Sequence, residues 1–121
     1  MSSFDQLAQR YIDTFNETDP DRRRAALQTL YTPDARYVDP HQDLEGPQQI
    51  DEFIAATQER FPGYRFTLGS AVDAHHDQAR FNWNVTGPGH SEPAYVGFDV
   101  IVADNGRVRN VYGWLDHAPA A

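Results

Sequence analysis

Tyr95–Leu115 reads YVGFDVIVADNGRVRNVYGWL. Two runs of alternating side chains flank Asp104-Asn105-Gly106, the pattern of two antiparallel strands joined by a tight turn. Alternation puts Phe98, Val100 and Val102 on one face of the first strand, and Tyr95, Gly97, Asp99 and Ile101 on the other. Asp99 is thus a carboxylate inside the most apolar segment of the chain, where burying an unpaired charge costs on the order of several kcal/mol. Three explanations stand open: it faces water, it is paired structurally, or it lines a pocket as a functional acid. Tyr95 and Ile101 beside it suit a half-apolar cavity better than solvent.

Working back from this hairpin, Gln78–Thr86 and Tyr64–Ala74 read as two further strands, separated by His75-His76-Asp77 and by the Gly87-Pro88-Gly89 region. Before Gly63 the period becomes helical. Ser3 and Gln6 have the form of a capping box, and Phe4, Leu7, Tyr11 and Phe15 follow on one face, predicting a helix over Ser3–Asn16. Asp19-Pro20 starts a second helix ending near Tyr31, and Gly46-Pro47 a third, stopped by Pro62-Gly63. A short strand, Ala35–Asp39, lies between them. This order predicts one α+β domain over residues 1–121, with three helices covering the concave face of a curved antiparallel sheet. Side chains from the strands and the first helix then converge on one cavity.

The chain carries 121 residues, no cysteine and a net charge of −8. Disulfides, thiol nucleophiles and Cys-containing zinc sites are excluded, and the acidic balance argues against nucleic acid and anionic membranes as partners. The start, MSSFDQLAQR, lacks a secretion signal and no run reaches membrane-helix length, so a cytoplasmic protein is expected. Arg22-Arg23-Arg24 reads as a solvated helix face.

Two residues join Asp99 as candidates. Asp39 ends a strand in YVDP, where Pro40 fixes the following turn and aims the carboxylate from a rigid terminus, or makes it an Asx-type turn residue. Tyr11 carries a phenol on the inward face of the first helix, which needs a hydrogen-bond partner if buried.

The segments QRYIDTFN, ARYVDPHQDLEGPQQI and YVGFDVIVADNGRV resemble the ketosteroid isomerase branch of the nuclear transport factor 2-like superfamily, which also includes the SnoaL-like polyketide cyclases. The resemblance spans nearly the whole chain in element order. It implies a cone-shaped, cystatin-like roll and a cofactor-free site in which Tyr11 and a protonated Asp99 donate to a developing oxyanion while Asp39 shuttles the proton. Trp83, Asn82, Tyr95, Trp114, Phe53 and His41 are the candidate substrate contacts. Trp83 and Asn82 lie on opposite faces of their strand, and if the Asn82 face turned inward the cavity would suit an oxygenated substrate better than a steroid. The closing segment, with Trp114 and nearby Asp116, also resembles the SnoaL-like pattern.

Competing chemistries are less supported. His75, His76 and Asp77 point apart in a tight turn, while Asp39, His41 and Asp43 give at most a sparse ligand set, so no metal is expected. GPGHSE lacks the third glycine and the helix of a phosphate loop, and there is no G-x-S-x-G motif. A non-catalytic binding pocket on the same fold, and an epoxide-opening site built from Asp99, Asp116 and Arg80 or Arg109, remain as alternatives. Phe98, Val100 and Val102 on the outer face predict a homodimer through the sheet.

Overall fold

The computed structural model describes residues 3–120 of the chain. Helix α1 spans Ser3–Asn16 as expected; the cap assigned to Ser3 involves a side chain outside the described residues. Asp19 caps α2 (Pro20–Leu30) by accepting from the Arg22 N–H at 2.8 Å, and Pro20 occupies the first turn. Tyr31 is already extended, so α2 runs directly into strand β1 (Tyr31–Asp39), which is four residues longer at its start than the expected Ala35–Asp39. A short strand absent from the sequence reading, β2 (Gln42–Glu45), turns back on β1 before α3 (Gly46–Arg60).

The expected strand Tyr64–Ala74 is two strands, β3 (Arg65–Leu68) and β4 (Asp73–His75), and both pair with β5 (Gln78–Thr86). The chain leaves the sheet around Gly69, whose N–H still bonds the Asn82 carbonyl. Strands β6 (Tyr95–Asp104) and β7 (Arg107–His117) form the quoted hairpin, with positive φ at both Asn105 and Gly106 as a two-residue turn demands.

The sheet order is β2-β1-β7-β6-β5-β3, with β4 off the path on β5. It is mixed rather than antiparallel: β1 and β7 run parallel, Tyr37 opposite Val111 and Val38 opposite Tyr112. Hairpin logic cannot reveal that pair, because a parallel partner requires a long crossover and so sits far away in sequence. The core lies between the helices and one face of this sheet, where Leu27, Ile50, Ile54, Ile101, Val108 and Val111 are fully enclosed.

The arginine run departs from expectation. Arg22 and Arg24 are exposed, but Arg23 is 3% exposed and turns inward, its Nε 2.6 Å from the Asp51 carboxylate of α3. Its Nη1 donates to the Glu17 carbonyl and the Gln58 side chain, at 3.2 and 3.0 Å. The inward stripe of α2 passes through position 23, four residues before Leu27, and the anion waiting on α3 makes burial of that cation tolerable. No helix among the described residues is long and apolar enough to cross a membrane.

Candidate active site

Cross-strand register decides what faces the helices. Phe81 lies opposite Asp99, Trp83 opposite Gly97, and Val85 opposite Tyr95, so the apolar set of β5 points inward with Asp99. Asp99 is 3% exposed, which removes the solvent-facing explanation. Two donors reach it: the Tyr11 hydroxyl on α1 donates to Oδ2 at 2.5 Å, and the Trp83 indole N–H donates to Oδ1 at 3.1 Å. Among the described residues no cation faces the carboxylate; burial pushes its pKa up to about 6 against the opposing pull of these two hydrogen bonds, and Asp39 adds a further upward push. Tyr11 and Tyr37 are in turn raised well above the ordinary phenol range, first by burial and then by the charge of Asp99.

Asp39 approaches from the end of β1. Its Oδ1 accepts the His41 backbone N–H and its Oδ2 accepts the Tyr37 hydroxyl, both at 2.8 Å, so the DP turn and a neighbour two residues back on the same strand face fix the carboxylate. Between the two acids lies Gly113 of β7. A Cβ at Gly113 would fall 2.7 Å from Asp99 Oδ1 and 3.3 Å from the Asp39 Cβ, so the missing side chain leaves room for both acidic residues beside this point of β7. A second mid-strand glycine serves Trp83: a Cβ on Gly97 would lie 2.3 Å from the indole Cζ2 and 2.2 Å from the Trp114 carbonyl. Only a bare backbone lets the ring lie flat enough for its N–H to reach Asp99.

Tyr11, Asp39 and Asp99 share the wall of one cavity of about 160 Å³ with Trp83, Tyr95 and, from α3, Phe53 and Thr57. The remainder of its lining is aromatic or aliphatic, including Phe15, Phe61 and Phe66.

Three expected substrate contacts sit elsewhere. Asn82 and Trp114 occupy the opposite sheet face, where Asn82 pairs across to Phe98 and Phe98 across to Trp114; an odd shift in strand parity separates them from the cavity. His41 is exposed, tied to the site only through its backbone N–H. The epoxide-opening set does not assemble: Arg80 pairs with Asp73 at 3.2 Å, Arg109 with Asn110, and Asp116 is exposed. No group of three potential metal ligands occurs among the described residues.

A family model described as a SnoaL-like domain matches residues 8–111. The chain belongs to the SnoaL-like family. A solved protein from Agrobacterium tumefaciens str. C58, provisionally assigned as an isomerase of that family, shares 38% identity at a TM-score of 0.90, over 96% of this chain and 99% of its own. Two further solved structures show the fold alone. One, from Kribbella flavida DSM 17836 and provisionally assigned as a ketosteroid isomerase, is 23% identical with a TM-score of 0.70, over 96% of this chain and 79% of that one. The other, provisionally assigned as a polyketide cyclase, comes from Sinorhizobium meliloti; it is 20% identical with a TM-score of 0.72, over 93% and 99%. Proteins of the cystatin-like and NTF2-like kind have the same architecture. No curated protein matches the chain.

Within this SnoaL-like domain, sequence reading overlooked Tyr37, Gly97 and Gly113. The signals were present: Tyr37 is two residues from Asp39 on one strand face, and a glycine inside a strand pattern marks a close approach.

Proposed function

We propose that the protein is a small-molecule isomerase or cyclase that moves a proton on the carbon beside a carbonyl, within the cavity and with its own side chains as the only acid and base. The observation that carries this reading is the meeting of Asp39 and Asp99 beside Gly113, with Tyr11 bonded to Asp99. Asp39, fixed by Tyr37 and the turn, is the base. The Tyr11–Asp99 pair stabilises the charge that grows on the carbonyl oxygen. Apolar walls strengthen both effects by excluding water. Because Phe81, Trp83 and Val85 face inward, the substrate is mainly apolar, and a cavity of about 160 Å³ suits a compact molecule. Pockets for drug-sized ligands run to roughly 300–1,000 Å³. The test is turnover of small β,γ-unsaturated ketones: Asp39→Asn should lower kcat by about 10²–10⁴-fold. Equal turnover by that variant, or none by the wild type on any enolisable ketone, rejects the reading.

One observation favours a second reading, a pocket that binds without turnover: both Asp39 oxygens already accept hydrogen bonds. Native mass spectrometry of freshly purified protein separates the two, since a retained ligand held equally well by Asp39→Asn supports binding alone. The outer sheet face motivates a homodimer under either reading. There Phe98 and Trp114 stack at 4.8 Å and 9°, and Trp114 is 47% exposed. A monomer by light scattering at micromolar concentration refutes the dimer.

A further inference from the structure

Asp99 has two kinds of hydrogen-bonding neighbour, an indole and a phenol, and they impose an order on its hydrogen bonds. An indole N–H is a donor and never an acceptor, so Oδ1, 3.1 Å from Trp83 Nε1, is held as an acceptor in every protonation state. Gly97 keeps the indole there, because the ring lies where any side chain at position 97 would stand. Oδ2 is the oxygen in contact with the Tyr11 hydroxyl, at 2.5 Å. The carbonyl oxygen of a neutral carboxyl is its stronger acceptor, so the indole bond favours Oδ1 in that role and places a proton taken up by Asp99 on Oδ2, where its partner among the described residues is Tyr11 Oη.

We infer that Trp83, Asp99 and Tyr11 form a serial relay, in which Trp83 confines the Asp99 proton to Oδ2, Asp99 donates it to Tyr11, and Tyr11 alone donates to the substrate oxygen. This differs from two acids donating side by side. It deepens the proposed reaction and rests on that reading for the site and its carbonyl ligand. With Asp99 ionised, the Tyr11 hydrogen points back at Oδ2 and the phenol offers the cavity only lone pairs, suited to a ligand hydroxyl. With Asp99 neutral, Oδ2–H donates to Tyr11 Oη, the Tyr11 hydrogen is released toward the cavity, and a ketone is bound. Trp83 is a positioning residue here: it acts through Asp99.

The other groups facing Asp99 do not disturb this order. From β1 come Tyr31, Tyr37 and Asp39; from α1, Tyr11; from β5, the untitratable Trp83; and among the described residues no cation acts on it. The Tyr31 hydroxyl has no hydrogen-bond partner among the described residues, and that of Tyr37 is committed to Asp39. Burial sets the exchange between the two states near pH 6, within reach of ordinary buffers.

The test is equilibrium binding of 1-indanone and 1-indanol, one skeleton offering an acceptor or a donor and neither titrating between pH 4.5 and 8.5. Wild type should bind the ketone about three- to tenfold more tightly at the acid end, and the alcohol with the opposite trend. In Tyr11→Phe the pH dependence of ketone binding should vanish. Asp99→Asn, whose amide oxygen accepts from Trp83 while its NH₂ donates to Tyr11, should hold the ketone at the acid-end affinity at every pH. Trp83→Phe should move the midpoint to higher pH, since a bond favouring the anion is lost. Circular dichroism confirms that each variant is folded; should Tyr11→Phe unfold, Asp99→Asn and Trp83→Phe decide. A pH dependence that survives in folded Tyr11→Phe shows Asp99 donating directly and overturns the relay, as does an unshifted midpoint in Trp83→Phe. Failure of either compound to bind at any pH overturns the pocket reading and the relay with it. Absence of turnover with the binding pattern intact rejects only the reaction.

Discussion

Asp51 and Asp99 are both buried carboxylates, 9% and 3% exposed, and they are furnished in opposite ways. Asp51 faces the Arg23 guanidinium at 2.6 Å, and Arg23 Nη1 donates to the Glu17 carbonyl and the Gln58 side chain. Asp99 has a phenol and an indole, neutral donors that stabilise its charge without cancelling it. Where the chain buries an acid to tie α2 to α3, it supplies a counter-charge. Where it buries one against a cavity it withholds the cation, and the acid stays able to gain and lose a proton near neutrality.

The contrast breaks most visibly at the tie. Asp51→Ala leaves the buried Arg23 guanidinium without its anion and should cost about 3–5 kcal/mol in urea unfolding at pH 7. If the loss is under about 1 kcal/mol, the pair is not the structural anchor described here.

Asp99 should behave the other way. Its folded pKa, about 6, lies above its unfolded value, so the folded state holds the proton more tightly. Its contribution is fully present below about pH 4, is lost as pH rises through 6, and amounts to about 3 kcal/mol in all. Asp99→Asn removes this dependence: the variant should gain stability relative to wild type as pH increases from 4 to 7. A difference that is flat over this range would mean that Asp99 is not held in a raised-pKa site.

Gly97→Ala sharpens the role of the indole. The added methyl meets both Trp83 and the Trp114 carbonyl and should destabilise by about 1–3 kcal/mol while pulling the indole N–H away from Asp99. An indole N–H proton resonance unchanged by the substitution would contradict this. At the small end, Arg80→Ala removes the exposed pair with Asp73, 70% and 65% accessible, and should change stability by no more than about 0.5 kcal/mol in the same unfolding experiment.

Much of this was legible in residue order because local chemistry enforced it. Alternation placed Asp99 among inward neighbours, the DP turn placed Asp39, and helical spacing placed Tyr11 on the inner face of α1. What escaped depended on partners distant in the chain. Arg23 looks like its solvated neighbours until Asp51, on another helix, is seen beside it. The two faces of β5 are each self-consistent as patterns, and only the register that sets Trp83 over Gly97 selects the inward one. Asn82 and Trp114 are expected ligand contacts, yet parity carries both to the outer face. The parallel β1–β7 pair has no short turn to announce it.

That parallel pair also fixes a timetable. β7 alone joins the strand bearing Asp39 to the strand bearing Asp99. On the ribosome the two acids therefore belong to separate fragments until residues 107–117 have been synthesised, and the long-range closure that unites them is the slow kind. Nascent chains arrested before Arg107 should lack ligand-dependent protection from protease, whereas released chains acquire it. A metabolite that fills the cavity can thus stabilise finished molecules but gives no help to those still being made.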